Sequence, residues 1–412
     1  MNEELEQEIR AFLVQHRAEQ FRLLGDLVGM PSENPPGDCV KHALAVADRL
    51  KKMGLAAEKH PVPQHLCRER GMEGIVNLVI RHEYGPGPVV ALQAHLDTAP
   101  AGPGWATDPF EAVVKNGVMY GRGVAESKAS AVAYLSAMMA LRSLALPLAG
   151  TLEVHLTYDR ETGGYLGVPW LLQQGIVNPD YAICAGGSYG IVTTHNGILY
   201  LEIKVRGRRA HPALTETGHD VADAANRVIS ALYALRRQYG KTKPKVRGVA
   251  GPTISVESIH GGRQPNGGAE EIVINVARGI MPDEDPAEIE KQISADIGNT
   301  VMAMNGIVCR IRRAGLVEPL APIAGTEKLI RMLSKTGNRI MGERVISEGQ
   351  AYYTDARHYV AVGIPAVCYG AGPKSIAESM AYRANENIAL DDLRKATEVI
   401  AVALGEFMSP AT

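Results

Sequence analysis

The chain has 412 residues, more than one ordinary hydrophobic core holds, so about two domains are expected. Apolar residues make up 46% and charged residues 21%, an ordinary globular balance, and a net charge of −2 with no basic block argues against nucleic acid or an anionic membrane as a main partner. The five cysteines stand singly at 39, 67, 184, 309 and 368, which fits reduced thiols in a cytoplasmic protein; the acidic N-terminus does not read as a secretory leader, and no apolar run reaches the ~18 residues of a membrane span.

Apolar residues at helical spacing predict a helix over 3–29, ended by Pro31 and the Asn34-Pro35-Pro36-Gly37 cluster, and a second over 40–53. Residues 75–81 and 89–92 read as strands, the latter delivering His95 and Asp97 at its C-terminal end, where open α/β sheets place their chemistry. A helix over 128–144, a strand over 151–157, a helix over 163–175 and a short strand over 181–184 continue the alternation, which predicts a largely parallel sheet covered on both faces. Near residue 192 the pattern changes: 199–205 alternates with period two, followed by a helix over 220–239, strands over 253–259 and 271–277, a helix over 286–302 and a strand over 306–313. From about 314 the first pattern resumes, with helices over 327–336 and 390–407 and a strand over 366–369. The reading is an α/β domain (1–192 and 314–412) carrying an inserted α+β domain (193–313).

Three motifs follow one another in chain order: His95-Leu96-Asp97, Trp105-Ala106-Thr107-Asp108-Pro109-Phe110, and Gly121-Arg122-Gly123-Val124-Ala125-Glu126-Ser127-Lys128. Together they resemble the M20 family of aminoacylases, carboxypeptidases, acetylornithine deacetylases and succinyl-diaminopimelate desuccinylases. The resemblance implies a zinc-exopeptidase-like three-layer catalytic domain, an inserted lid domain through which the chain forms a homodimer, a small-molecule substrate, and two zinc ions about 3.5–4 Å apart that activate a shared water.

Matched role by role, the motifs keep some of that machinery and replace the rest. His95 stands as the first ligand and Asp97 as the carboxylate that orients its ring. Glu126 replaces the metal-bridging Asp, and its extra methylene moves the oxygens by roughly 1 Å where metal sites tolerate about ±0.2 Å. The family's Asp-Glu-Glu-x-Gly reads Asp159-Arg160-Glu161-Thr162-Gly163, so Glu161 keeps a ligand position while the general base has become Arg160, a guanidinium that accepts no proton. Gly186 falls where a further acidic ligand belongs, and no Asp or Glu lies between Asp180 and Glu202. In Ala381-Tyr382-Arg383-Ala384-Asn385-Glu386 a phenol, a poor zinc ligand, replaces the family His. The expectation is no zinc, or one weakly held ion on His95, Glu126 and Glu161, with Arg160 hydrogen-bonded to Glu126 and Glu161 in the metals' stead.

The substrate-facing elements look complete. His211 matches the insert-domain His that polarises the substrate carbonyl in the partner subunit's site, Asn266 the Asn of the same interface, and Arg278 the Arg that helps bind a substrate carboxylate. Thr354–Arg357 and Gly370–Gly372 match pocket-closing loops, with Gly372 against the substrate, and Tyr353, beside Tyr352, is placed to line the pocket or to pack. Cys184, at a strand end, is weighed as a nucleophile and more simply as buried filler. Three readings stay open: a repurposed enzyme acting on an acyl or amide group (transfer, amide formation or cleavage, cyclisation) in which His95, Asp97, Glu126, Arg160, Glu161, His211 and Tyr382 do the work; a single-metal amidohydrolase; and a non-catalytic binding homologue.

Overall fold

The structure is a computed structural model that describes residues 3–144, 146–208, 219–262 and 269–410. The chain divides into two compact units, Met1–Thr193 with Pro322–Glu348 and Thr354–Thr412, and Thr194–Ala321 with Gly349–Tyr353.

The first unit is built on a mixed sheet whose strands run in the order Ala57–Pro61, Val76–Gly85, Gly150–Thr157, Val89–His95, Tyr181–Cys184, Ala366–Cys368, Gly190–His195 and Ile346–Gln350, the last two strands carrying the chain over the unit boundary. Its centre is parallel: Val89–His95 pairs in parallel with Gly150–Thr157 and with Tyr181–Cys184, which pairs in parallel with Ala366–Cys368. Outside that centre, Val76–Gly85 runs antiparallel to both its neighbours. A run of apolar residues buried on both faces carries no mark of its direction, so the alternation alone suggested a more parallel sheet than the chain forms.

The helix Ala129–Ser143 is apolar nearly all round and accordingly buried, and it packs against the closing helix Leu390–Phe407. The expected single N-terminal helix is two, Glu3–Gln15 and Arg17–Val28, broken at His16, whose Nδ1 lies 2.9 Å from the Phe12 carbonyl. A one-residue break leaves the apolar period intact, so periodicity does not reveal it. The expected helix over 163–175 shrinks to Val168–Gln173, because Gly163 (φ 106°) and Gly164 (φ 76°) both adopt left-handed backbone that no α-helix accommodates.

The second unit is a four-stranded antiparallel sheet in the order Thr253–Gly261, Glu271–Ile280, Gly197–Arg206 and Val308–Val317. Leu199, Leu201, Ile203 and Val205 alternate into its core and meet Val228 and Leu232 of the helix Val221–Tyr239 and Ile293 and Ile297 of the helix Pro286–Val301. Among the described residues no helix is long and apolar enough to cross a membrane.

Candidate active site

Two parallel strands start the site. His95 ends one and is paired in register with Thr157, which ends the other. Asp97 and the Asp159-Arg160-Glu161 turn therefore leave the sheet side by side, as strand ends of an α/β sheet require. The two segments are tied together: Asp97 Oδ2 accepts from the Glu161 amide at 3.0 Å and from Asn34 Nδ2 at 3.0 Å. Asn34 belongs to the Asn-Pro-Pro-Gly cluster that the sequence offered only as a helix stop.

His95 is 3% exposed. Its Nδ1 lies 3.1 Å from the Asp97 carbonyl and 3.4 Å from Asp97 Oδ1, and its Nε2, which makes no hydrogen bond, faces Glu126 Oε1 at 3.5 Å. Burial by itself lowers the imidazole's pKa, but Asp97 and Glu126 overcome it and hold the ring well above its ordinary value.

Glu126 is set by its backbone. It sits between the Gly121–Gly123 turn and the helix Ala129–Ser143, with non-helical dihedrals (φ −124°, ψ 93°). Glu386 Oε1 accepts from the amides of Ala125 (3.0 Å) and Glu126 (3.1 Å), while its other oxygen takes Arg122 Nη1 at 2.7 Å. Arg122 also donates to the carbonyls of Pro100 and Ala101 and lies over the Trp105 ring. The Gly-Arg-Gly, Trp-x-x-Asp-Pro-Phe and Asn-Glu pieces of the resemblance thus form one buried bracket behind Glu126. Ser127 adds a bond from its hydroxyl to the His95 carbonyl at 2.8 Å, and Lys128, fully buried, donates to the Leu27 carbonyl at 2.8 Å.

Arg160 is 7% exposed, and its Nε lies 3.8 Å from Oδ1 of the buried Asp355. The sequence singled out Glu126 and Glu161 as its partners; Asp355, a carboxylate some 195 residues later in the chain that spacing along the sequence does not bring to mind, is a further one. Glu161 feels Arg160 all the same. Burial, with Asp97 and Glu126, pushes its carboxyl up to about 7, while His95 and Arg160 pull it down. Burial and the neighbouring Asp355 and Asp97 push Asp159 up to about 7 as well. Tyr382 sits in left-handed backbone (φ 64°) and is 45% exposed as a residue, while burial of the phenol followed by the charges of Glu126 and Glu161 raises it well above its ordinary value, with Arg160 opposing.

Gly186 is closely packed. A Cβ there would stand 3.0 Å from Cys368 Cβ and 3.1 Å from Cys368 C and Tyr369 N, so a side chain needs its neighbours to give by a few tenths of an ångström. The loop is zipped to 370–372: Gly370 N donates to the Gly187 carbonyl, Ser188 Oγ to the Gly370 carbonyl at 3.0 Å, and Gly372 N to Ser188 Oγ at 3.2 Å. Gly372, expected against substrate, is a buried close-approach glycine, since its own Cβ would stand 2.8 Å from the Gly186 carbonyl oxygen. Among the described residues no group of three His, Cys, Asp or Glu gathers as a metal ion needs. With no side-chain ligand at Gly186, Arg160 beside Glu161 and a phenol at 382, the residues do not fit a two-zinc centre.

The remaining expectations fall elsewhere. Arg278, expected to help bind a substrate carboxylate, is 1% exposed in the second unit, where its fork closes on Glu284 (2.7 and 3.1 Å) and its guanidinium lies over the Tyr239 ring. Tyr353 is half-buried in the short segment Gly349–Tyr353 of that unit. His211 and Asn266 lie outside the described residues. Burial, then the neighbouring Cys368, holds the Cys184 thiol well above its ordinary value, which disfavours the thiolate a nucleophile needs.

Comparisons with known proteins agree with this architecture. Residues 91–406 match the model of peptidase family M20/M25/M40, and the chain belongs to that family, whose members are amidohydrolases acting on C–N amide bonds. It is 24% identical, over 97% of both chains, to an N-formyl-4-amino-5-aminomethyl-2-methylpyrimidine deformylase of Halalkalibacterium halodurans. It is 26% identical, over 89% of this chain and 93% of the other, to a succinyl-diaminopimelate desuccinylase of Stenotrophomonas maltophilia. Among solved structures it resembles an M20 metallo-carboxypeptidase of Sulfolobus solfataricus (TM-score 0.72, 18% identity, 95% of this chain and 99% of that one). It also resembles a dinuclear metal-binding M20 peptidase of Bacillus subtilis (TM-score 0.70, 14% identity, 96% and 99%).

Proposed function

We propose that this chain is an M20-fold enzyme that acts on the acyl group of a small N-acylated, amino-acid-like amine, with its own cation and phenol in place of the family's metal pair. The observation behind the reading is the exchange of charge in one cleft: Arg160 stands beside Asp355 and Glu161, while the position of the missing ligand, Gly186, is filled by packed backbone. Arg160 and Tyr382 are the donors for an oxyanion developing on the acyl carbonyl. Glu161, its carboxyl near neutrality, is the group that takes and returns a proton, and Glu126 and His95 complete the polar wall. Such a set serves amide cleavage, formation or transfer without a metal-bound hydroxide. The deformylase and desuccinylase names of the two relatives both describe removal of a small acyl group, which supports the substrate class.

The test is turnover of a panel of N-formyl, N-acetyl and N-succinyl amino acids and amines, together with metal analysis of protein purified without chelator. The expected result is turnover that survives chelation and is lost in Arg160→Ala and Glu161→Gln. Two equivalents of a divalent ion per chain, with activity abolished by chelator, would sink the proposal. One equivalent, lost on Glu126→Ala, would favour a single ion on His95, Glu126 and Glu161 instead, and binding without turnover would mark a non-catalytic homologue.

A further inference from the structure

We propose that Asp355 is the positioning residue of this site: its buried carboxylate orients the Arg160 guanidinium, and it is fixed from the sheet by Gln93 and, through the helix it opens, by a polar chain of Tyr359, His155 and Glu153. The proposal rests on the role given to Arg160 above and deepens it.

Gln93, His155, Cys184 and Cys368 are register partners on neighbouring strands, so they form one row on one face of the sheet. The helix Ala356–Ala361, opened by Asp355, is held to this row at two points. At its start, Gln93 Nε2 donates to Asp355 Oδ2 at 2.9 Å, and Gln93 is itself placed by Thr157 Oγ1 at 3.1 Å. One turn on, the Tyr359 hydroxyl meets His155 Nδ1 at 2.7 Å; His155 Nε2 donates to Glu153 at 2.8 Å, and Glu153 takes Arg81 Nε at 2.6 Å. Tyr359 and His155 are fully buried, and the mechanism uses neither. A buried polar chain costs stability unless every member is satisfied; here it bolts down the helix that carries Asp355.

The bolting leaves Asp355 Oδ1 without a hydrogen bond and 3.8 Å from Arg160 Nε. Burial works against the charged carboxylate, yet Arg160 first, then His358, Arg357 and His95, hold Asp355 below the usual carboxylate range. A chain with the family's Glu at 160 would set two carboxylates against each other here. Arg160 turns the same contact into an attraction, and an oriented guanidinium is what an oxyanion donor needs.

The test needs no substrate. Arg160→Gly opens a slot for a free cation, and millimolar methylguanidinium raises its melting temperature saturably, while Arg160→Gly/Asp355→Asn shows no rise. Tyr359→Phe in the Arg160→Gly background raises the half-saturating methylguanidinium concentration several-fold. Equal shifts in both backgrounds, or no shift in Arg160→Gly, overturn the pairing; an unchanged half-saturation in the Tyr359→Phe background overturns the role of the polar chain. If Arg160→Gly does not fold, a double-mutant cycle of Arg160→Gln and Asp355→Asn decides, because partners couple: the double variant melts about 2 °C or more above the additive expectation, and additivity overturns the proposal. The readouts are independent of turnover, so failure of the proposed function leaves them interpretable.

Discussion

Arg122→Ala should be among the most damaging substitutions in the chain. Arg122 and Glu386 side chains are each 2% exposed and meet at 2.7 Å, so removing the cation leaves a carboxylate buried without its counter-ion. Breaking a buried pair in this way costs about 3–5 kcal/mol. Arg122 also gives up two carbonyl bonds and the face of Trp105. Glu386 already titrates above the ordinary carboxylate range, since burial outweighs Arg122 and the backbone amides, so without Arg122 it takes up a proton and its hold on the Ala125 and Glu126 amides weakens. Against a typical total of about 5–15 kcal/mol, the loss is about a fifth or more. Both tryptophans, Trp105 and Trp170, lie in the first unit, so urea unfolding followed by Trp fluorescence reads this unit directly. Glu386→Gln should cost less than Arg122→Ala, because the amide oxygen still accepts from one backbone N–H. A loss below about 1 kcal/mol for Arg122→Ala would refute the view that this bracket sets Glu126.

Three further outcomes follow from the packing. Gly186→Ala should cost about 1–3 kcal/mol by overpacking, and Gly186→Glu should be no better while creating no zinc site by calorimetric titration, since the Cβ meets Cys368 and Tyr369 backbone. Arg278→Ala should lower stability by about 2 kcal/mol through the loss of the Glu284 fork and leave KM for any substrate within about twofold, the reverse of what a substrate-binding Arg would show. Light scattering should give a mass about twice 44.2 kDa if the second unit pairs two chains, and a monomer mass would remove the dimer from the reading.

What was legible in the sequence was whatever repeats with a period or follows a contiguous motif. The alternation of 199–205, the Ala-rich helix at 129 and the His95-x-Asp97 strand end each carry their structure within a few residues, and the structure places them as read. The pieces that were hidden are contacts between distant segments. Asn34 holds Asp97 across 63 residues, Glu386 holds Glu126 across 260, and Asp355 faces Arg160 from another strand–helix junction. No local spacing records such pairs. A partial signal existed: a lone Arg inside an acidic motif demands a buried anion, and Asp355 sat in a stretch already marked as closing the pocket. The Arg278–Glu284 fork was hidden in another way, because a motif match assigns a guanidinium to substrate without asking what Glu284, six residues on, offers it.

Returning position 160 to a carboxylate shows why the cleft no longer tolerates its relatives' charge. Arg160→Glu would set two carboxylates roughly 4 Å apart, and at an effective dielectric of 20 their repulsion is at most about 4 kcal/mol. Proton uptake and side-chain rotation relieve part of it, so Arg160→Glu should be about 1–3 kcal/mol less stable than Arg160→Gln at pH 8. The sign with pH is fixed: repulsion needs both groups ionised, so the gap between the two variants closes below about pH 4. In the unaltered chain Asp355 is held below its unfolded value, so the stability it draws from Arg160 is present above about pH 4 and is lost as pH falls through the lowered folded value. Chemical denaturation of both variants at pH 8 and pH 4 measures the difference. If Arg160→Glu matches Arg160→Gln at pH 8, the carboxylate of Asp355 does not govern position 160, and the cation there answers to some other group.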